Sequence, residues 1–161
     1  MDASRRAFLC NWTVGGAALG LLTHATTASA AGQDGLIQWQ TWQDGLQKAA
    51  AEKKGIGLLI YADWCPHCRE LQPVFRDPET VKASQPIIMI RQNADESPPW
   101  LQERFGRLGT YVPRIFFLHP DGTHAAEIQS GNPKYPYFYQ PHQGAVLRAS
   151  MKQAATLGHK R

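Results

Sequence analysis

Cys65 and Cys68 form a C-x-x-C pair inside Ala62-Asp63-Trp64-Cys65-Pro66-His67-Cys68-Arg69. An apolar run, Ile56-Gly57-Leu58-Leu59-Ile60-Tyr61, leads into the pair, and a helical pattern follows it. A strand that hands two cysteines to a helix N-terminus is suited to redox chemistry. The unpaired N–H groups and partial positive charge of the helix end favour thiolate at the first cysteine. Thiol–disulfide exchange needs one accessible thiolate and a neighbour that resolves the mixed disulfide. Cys65 is expected to be the nucleophile, exposed at the helix start, with Cys68 one turn further in as the resolving thiol. Pro66 occupies the first helical turn, where the missing N–H costs nothing. His67, protonated or donating a hydrogen bond, would stabilise the Cys65 thiolate, favour the reduced form and make the disulfide a stronger oxidant. Trp64 is expected to be a platform beside the cysteines.

The chain has three cysteines in 161 residues. A bridge between Cys65 and Cys68 closes too short a loop to restrict the unfolded chain much, so a purely fold-holding disulfide is disfavoured. Two cysteines do not complete a four-ligand zinc site. No cofactor is expected. The formal charge of +4 is spread along the chain with no polybasic tract, which argues against nucleic acid or anionic lipid as the main partner.

Residues 1–30 read as an export signal. Arg5-Arg6-Ala7-Phe8-Leu9 supplies paired arginines followed by Phe-Leu, a weakly apolar stretch runs from Trp12 to Leu22, and Ala28-Ser29-Ala30 offers a small-x-small cleavage site. The arrangement resembles a twin-arginine signal. Cleavage after Ala30 would remove Cys10 and leave residues 31–161 as a single domain with a formal charge of +3. The apolar stretch is too short to span a bilayer comfortably, so no stable membrane insertion is expected after cleavage. The expected location is the periplasm or another exported, oxidising compartment.

Several elements must position the cysteines. Leu36 to Trp39 reads as a short strand. Thr41 is a suitable N-cap for a helix from Trp42 to Lys54, with Trp42, Leu46, Ala49 and Ala50 near helical spacing and Gly55 past its end. Ile56–Tyr61 reads as a central strand, apolar on both faces. The helix from Pro66 to Arg76 should kink at Pro73. Further elements are a short helix over Glu79–Ser84, a strand over Pro86–Arg91, a helix from Pro98 to Phe105, a strand over Arg114–Leu118, a turn at Pro120-Asp121-Gly122 and a return strand from His124 to Ile128. A last amphipathic helix is expected from Pro141 to Leu157, with Val146, Leu147, Met151 and Ala154 on one face. Parallel crossovers followed by a hairpin give an α/β fold: a mixed sheet with helices on both faces. His119, His124, His142 and His159 have no ligand-like spacing and read as surface residues. Tyr135, Tyr137, Phe138 and Tyr139 could form a substrate patch or close the core, with packing the preferred reading.

Three separated features resemble the thioredoxin superfamily. Trp64-Cys65-Pro66-His67-Cys68 is similar to its active site, in the Cys-Pro-His-Cys form of DsbA-type oxidants. Pro73 resembles the kinking proline of its active-site helix, and Val112-Pro113 its cis-proline loop. The resemblance covers about residues 36–157 and implies a thioredoxin-like fold, with Val112 and Pro113 beside the cysteines and able to pair with an extended substrate. Tyr111 to Gly122, and Gly131-Asn132-Pro133-Lys134-Tyr135-Pro136-Tyr137-Phe138-Tyr139, more specifically resemble the small anterior-gradient proteins of the endoplasmic reticulum. Two departures stand out. Leu59 occupies the position where thioredoxin and DsbA carry a buried acid, and there is no room for DsbA's helical insertion.

The function implied is an exported thiol–disulfide oxidoreductase acting on protein thiols and disulfides, leaning towards oxidation, with an unidentified membrane redox partner. The same residues would serve a reductant fed by a membrane electron donor. A copper(I)-binding module using Cys65, Cys68 and a histidine, and a chaperone-like module with secondary redox activity, are the alternatives from other classes.

Overall fold

The computed structural model describes residues 36–159, so the expected signal, its cleavage site and Cys10 lie outside the described residues. In order, Trp39–Gln40 forms β1, Trp42–Glu52 α1, Ile56–Tyr61 β2, Pro66–Leu71 α2, Pro78–Ser84 α3, Ile88–Asn93 β3, Pro99–Phe105 α4, Arg114–Leu118 β4 and Gly144–Thr156 α5. The sheet order is β1-β3-β2-β4. β3 runs parallel to both β1 and β2, while β4 runs antiparallel to β2. The sheet is therefore mixed, as expected, and helices cover both of its faces.

The two faces follow from strand alternation. Ile56, Leu58 and Ile60 of β2 join Ile90, Phe116 and Leu118 under α1 and α4, with Trp42, Ala49, Leu101 and Phe105. Leu59 points the other way and joins Met89, Ile115 and Phe117 under α3 and α5, with Val81, Leu147, Met151 and Ala154. β2 is buried on both faces, which explains its unbroken apolar sequence.

Several elements depart from the sequence pattern for identifiable reasons. β1 is only Trp39–Gln40, because its partner β3 begins at Ile88 and leaves little to pair with earlier residues. Thr41 caps α1 as expected, accepting a hydrogen bond from the Asp44 N–H at 3.2 Å. The helix then ends at Glu52, with Lys53 in the left-handed conformation (φ 53°). Gly55 is needed for close approach instead: a Cβ there would collide with the Ala154 carbonyl of α5. Ala50 is exposed, and Gly45 takes the buried position against Ile90. α2 stops at Leu71 and continues as a 3-10 turn over Gln72–Arg76, the expected effect of Pro73.

The return strand over His124–Ile128 does not form. Pro120–Gly122 turns as expected, with Gly122 at φ 81°, but a single bridge joins Leu118 to His124. The outer edge of β4 is shared instead. Phe117 O accepts from the Ala125 N–H at 2.9 Å, and the Ile115 N–H donates to Tyr137 O at 2.8 Å. The chain turns away after Ala125, so the Gly/Pro/Tyr-rich loop completes the edge.

On α5, Val146 is exposed and Ser150 joins Leu147, Met151 and Ala154 on the buried face, the i, i+3, i+4, i+7 set. Tyr139 Oη donates to Ser150 Oγ at 3.0 Å, which satisfies both buried hydroxyls. Tyr137 and Tyr139 are thus core residues, in line with the packing preference, whereas Tyr135 is exposed.

His124 is half-buried rather than a surface residue. Its ring packs edge-on against Phe105, Phe116 and Tyr137, and its Nε2 is buried with no partner among the described residues. Burial holds its pKa below the usual imidazole value, only partly offset by Glu127. The unfolded chain gains the proton near pH 6.5, before the folded one does, so this residue costs stability as pH falls below about 6.5. Chemical denaturation across that range should show an acid-side loss that is reduced in His124→Phe, with stability at neutral pH unchanged or higher.

Candidate active site

The antiparallel register Ile60↔Arg114 sets the end of β2 beside the start of β4. The residues that follow β2 therefore face those that precede β4. Cys65 is the N-cap of α2, and the Cys68 N–H donates to its Sγ at 3.3 Å. Cys65 Sγ in turn donates to the Val112 carbonyl at 3.5 Å. The Val112–Pro113 peptide bond is cis. Cys65, Cys68 and Ala62 form a small cluster, with Val112 and Tyr61 packed on it.

Both cysteines are free thiols. Cys65 is only 3% exposed, against the expectation of an exposed sulfur, because the start of α2 is tucked under Val112. Cys68 is 7% exposed. Burial, followed by the hydrogen bond with Cys65, pushes the Cys68 thiol up to about 12. Arg69 and the Ala62 backbone oppose that rise only in part. The two sulfurs are thus unequal: one receives a backbone N–H, and the other is held as a neutral thiol.

Trp64 is 64% exposed at the rim of the site. Its indole N–H donates to both Asp95 carboxylate oxygens at 3.0 Å. Beside it, the Asn93 side chain donates to Asp63 Oδ2 at 3.1 Å, and Arg69 donates to the Asp63 carbonyl at 3.0 Å. Asp63 is exposed, while Leu59 is buried in the core, so the second position carries no acid and the first is tied to Asn93.

Pro66 is the exposed first residue of α2. His67 is exposed and contacts Glu70 and Phe138. Its Nδ1 lies 3.0 Å from Glu70 Oε2, and its ring meets Phe138 edge-on with centroids 5.7 Å apart. No hydrogen bond joins it to either cysteine among the described residues. A surface groove of about 430 Å³ next to His67 and Val112 is lined also by Tyr111, Asn132, Tyr135 and Phe138.

The structure thus brings Cys65, Cys68, Val112 and Pro113 together, with Trp64 and His67 at the rim. Three neighbours do not follow from the motif. Glu70 was legible as the i+3 partner of His67. Asp95 lies 31 residues from Trp64, and only the parallel Tyr61↔Asn93 register brings it near. Phe138 reaches His67 from the loop before α5 by tertiary packing alone.

The fold agrees with the family comparison. A family model described as thioredoxin-like matches residues 38–120, and the chain belongs to that family. It is similar to human anterior gradient protein 2 homolog, 30% identical over 125 residues that span 77% of this chain and 69% of the relative. Anterior gradient protein 2-B of Xenopus laevis is likewise 30% identical over 123 residues, covering 75% and 73%. Among solved structures, a DsbH oxidoreductase superposes with a TM-score of 0.57 at 21% identity, over 76% of this chain and 86% of that one. A thioredoxin from Thermus thermophilus gives 0.58 at 15% identity, over 76% and 89%. These structural likenesses establish the shared fold.

The causes of the Cys68 shift separate in a variant. In reduced Cys65→Ala, ultraviolet thiolate absorbance followed against pH should place Cys68 below about 12, because the Cys65 hydrogen bond is gone. It should still ionise well above an ordinary thiol, near 8.5, because burial is the larger cause.

Proposed function

We propose that this protein is an exported thiol–disulfide oxidoreductase acting on protein cysteines, with Cys65 as the nucleophile and Cys68 as the resolving thiol. The observation that carries this reading is the inequality of the two sulfurs. The Cys68 N–H is aimed at Cys65 Sγ, where it holds developing negative charge, while the buried Cys68 thiol resists ionisation.

In the oxidising direction a substrate thiolate attacks Sγ of Cys65 in the Cys65–Cys68 disulfide. The bond to Cys68 breaks, Cys68 leaves as thiolate and takes up a proton, and a mixed disulfide links substrate to Cys65. A second substrate thiolate then attacks the substrate sulfur of that bond. The substrate becomes a disulfide, Cys65 leaves as thiolate, and two electrons have passed to the enzyme. The high Cys68 pKa favours its protonation after the first step. Val112, whose carbonyl lies against Cys65, supplies the backbone against which an extended substrate docks, together with Pro113. Trp64 bounds that face.

The fold shared with a DsbH oxidoreductase supports thiol–disulfide chemistry. The paired Arg5-Arg6 and the Ala28-Ser29-Ala30 site support export through a twin-arginine-type signal, with residues 31–161 as the mature domain. The resemblance of Cys65-Pro66-His67-Cys68 to the DsbA-type motif supports the oxidant direction, with reoxidation by a membrane redox partner. The copper(I) alternative draws on a histidine beside Cys65 and Cys68, whereas the neighbouring His67 has its Nδ1 3.0 Å from Glu70 Oε2.

In Cys68→Ala the resolving thiol is gone, so mixed disulfides between Cys65 and exported protein thiols should accumulate and be recoverable by non-reducing gels and mass spectrometry. Cys65→Ala should trap nothing and fall to the uncatalysed background. If Cys65→Ala traps partners as well as Cys68→Ala does, the role assignment fails. Equilibration with glutathione should give a reduction potential nearer about −120 mV than about −270 mV, and a value at the lower figure would reverse the direction.

A further inference from the structure

A second cavity is bordered by Cys68 and Pro113. It has a volume of about 280 Å³, near the small end of the roughly 300–1,000 Å³ usual for ligand sites. Its apolar lining includes Trp39, Leu59, Leu71 and Phe75, with Gln72 among the polar groups. Cys68 forms part of its buried side. Arg76 and Arg91, both exposed, line its solvent side. No acidic residue lines it, and none of the ion pairs among the described residues involves either arginine.

This combination is selective. An apolar chamber admits a hydrocarbon or aryl body, and burial of that surface drives entry. Two guanidiniums without acid partners attract an anion, and their planar donor forks match a carboxylate. A cation or a strongly polar sugar meets the wrong charge or the wrong walls. The Leu59 side chain is part of this selectivity, since an ionised acid there would repel an anionic guest.

We infer that this cavity is a binding site for a small amphipathic carboxylate, with its apolar body between Trp39, Leu71 and Phe75 and its headgroup at Arg76 and Arg91. The occupant rests against Cys68 and Pro113. The inference is independent of the disulfide chemistry, because binding is read directly and requires no turnover.

The test uses octanoate and its neutral counterpart 1-octanol on the reduced protein, followed by calorimetry and by methyl resonances of Leu59 and Leu71. Octanoate should bind saturably at one site, shift those methyl resonances, and bind at least about tenfold more tightly than octanol, as charge-assisted hydrogen bonds predict. The double variant Arg76→Gln, Arg91→Gln alters only exposed side chains, so it should fold normally and bring octanoate down to the octanol level. Leu36, 57% exposed, also lines the cavity, and Leu36→Trp should obstruct both ligands. Absence of saturable binding, equal affinity for the two ligands, or full octanoate affinity in either variant would overturn the inference.

Discussion

The site depends on β2 being hydrogen-bonded along both edges. Its parallel ladder to β3 pairs Tyr61 with Asn93, and its antiparallel ladder to β4 pairs Ile60 with Arg114. Parallel pairing places the residues after β2 and after β3 at the same end of the sheet. Antiparallel pairing places the residues before β4 at that end too. Three chain segments, distant in sequence, therefore meet at one sheet end: the cysteine loop, the Asn93–Glu96 turn and the Val112–Pro113 loop. A one-residue slip of β2 would turn Leu59 to the wrong face and move Cys65 away from Val112. The apolar faces of β2 prevent that slip, because Ile56, Leu58 and Ile60 fit one layer and Leu59 the other.

Local hydrogen bonding then distinguishes the two buried sulfurs. The start of α2 turns the Cys68 N–H towards Cys65, so the first sulfur sits at a donor and the second sits inside the turn. α2 has only six residues before the chain tightens at Pro73, so the local N–H matters more than a long helix dipole. Leu59 keeps the region behind Cys68 apolar. The same choice leaves the cavity beside Cys68 free of fixed negative charge, with two arginines on its solvent side.

The rim is built differently from the centre. Trp64 and His67 are exposed, and each is steadied by a carboxylate: Asp95 for the indole and Glu70 for the imidazole. Exposed pairs of this kind contribute little to stability, so their main effect is on side-chain direction. The loop before α5 adds Phe138 against His67 and sends Tyr137 and Tyr139 into the core. One short segment thus closes the outer edge of β4 and borders the site at once.

Much of this was legible in the sequence because it is local. The Cys65–Cys68 spacing, the proline at the start of α2, the Thr41 cap, the Pro73 kink and the continuous apolar run of β2 are set by dihedral limits, hydrogen-bonding needs and burial within a few residues. The resemblance of Val112-Pro113 to a cis-proline loop extended that reading to a distant contact. Tertiary structure decided the rest. The Ala125 and Tyr137 backbones compete for the edge of β4, so no return strand forms. Val146 is apolar but lies one step off the buried face of α5, where Ser150 is accepted because Tyr139 satisfies its hydroxyl. His124 is drawn into an aromatic cluster that no local pattern announces. Cys65 is covered although it begins a helix, because Val112 comes to it from 47 residues away. Side-chain type and spacing specify which chemistry the cysteines can perform. How deeply the sulfurs are buried, what faces them and what lies behind them are set by strand register and packing between distant segments.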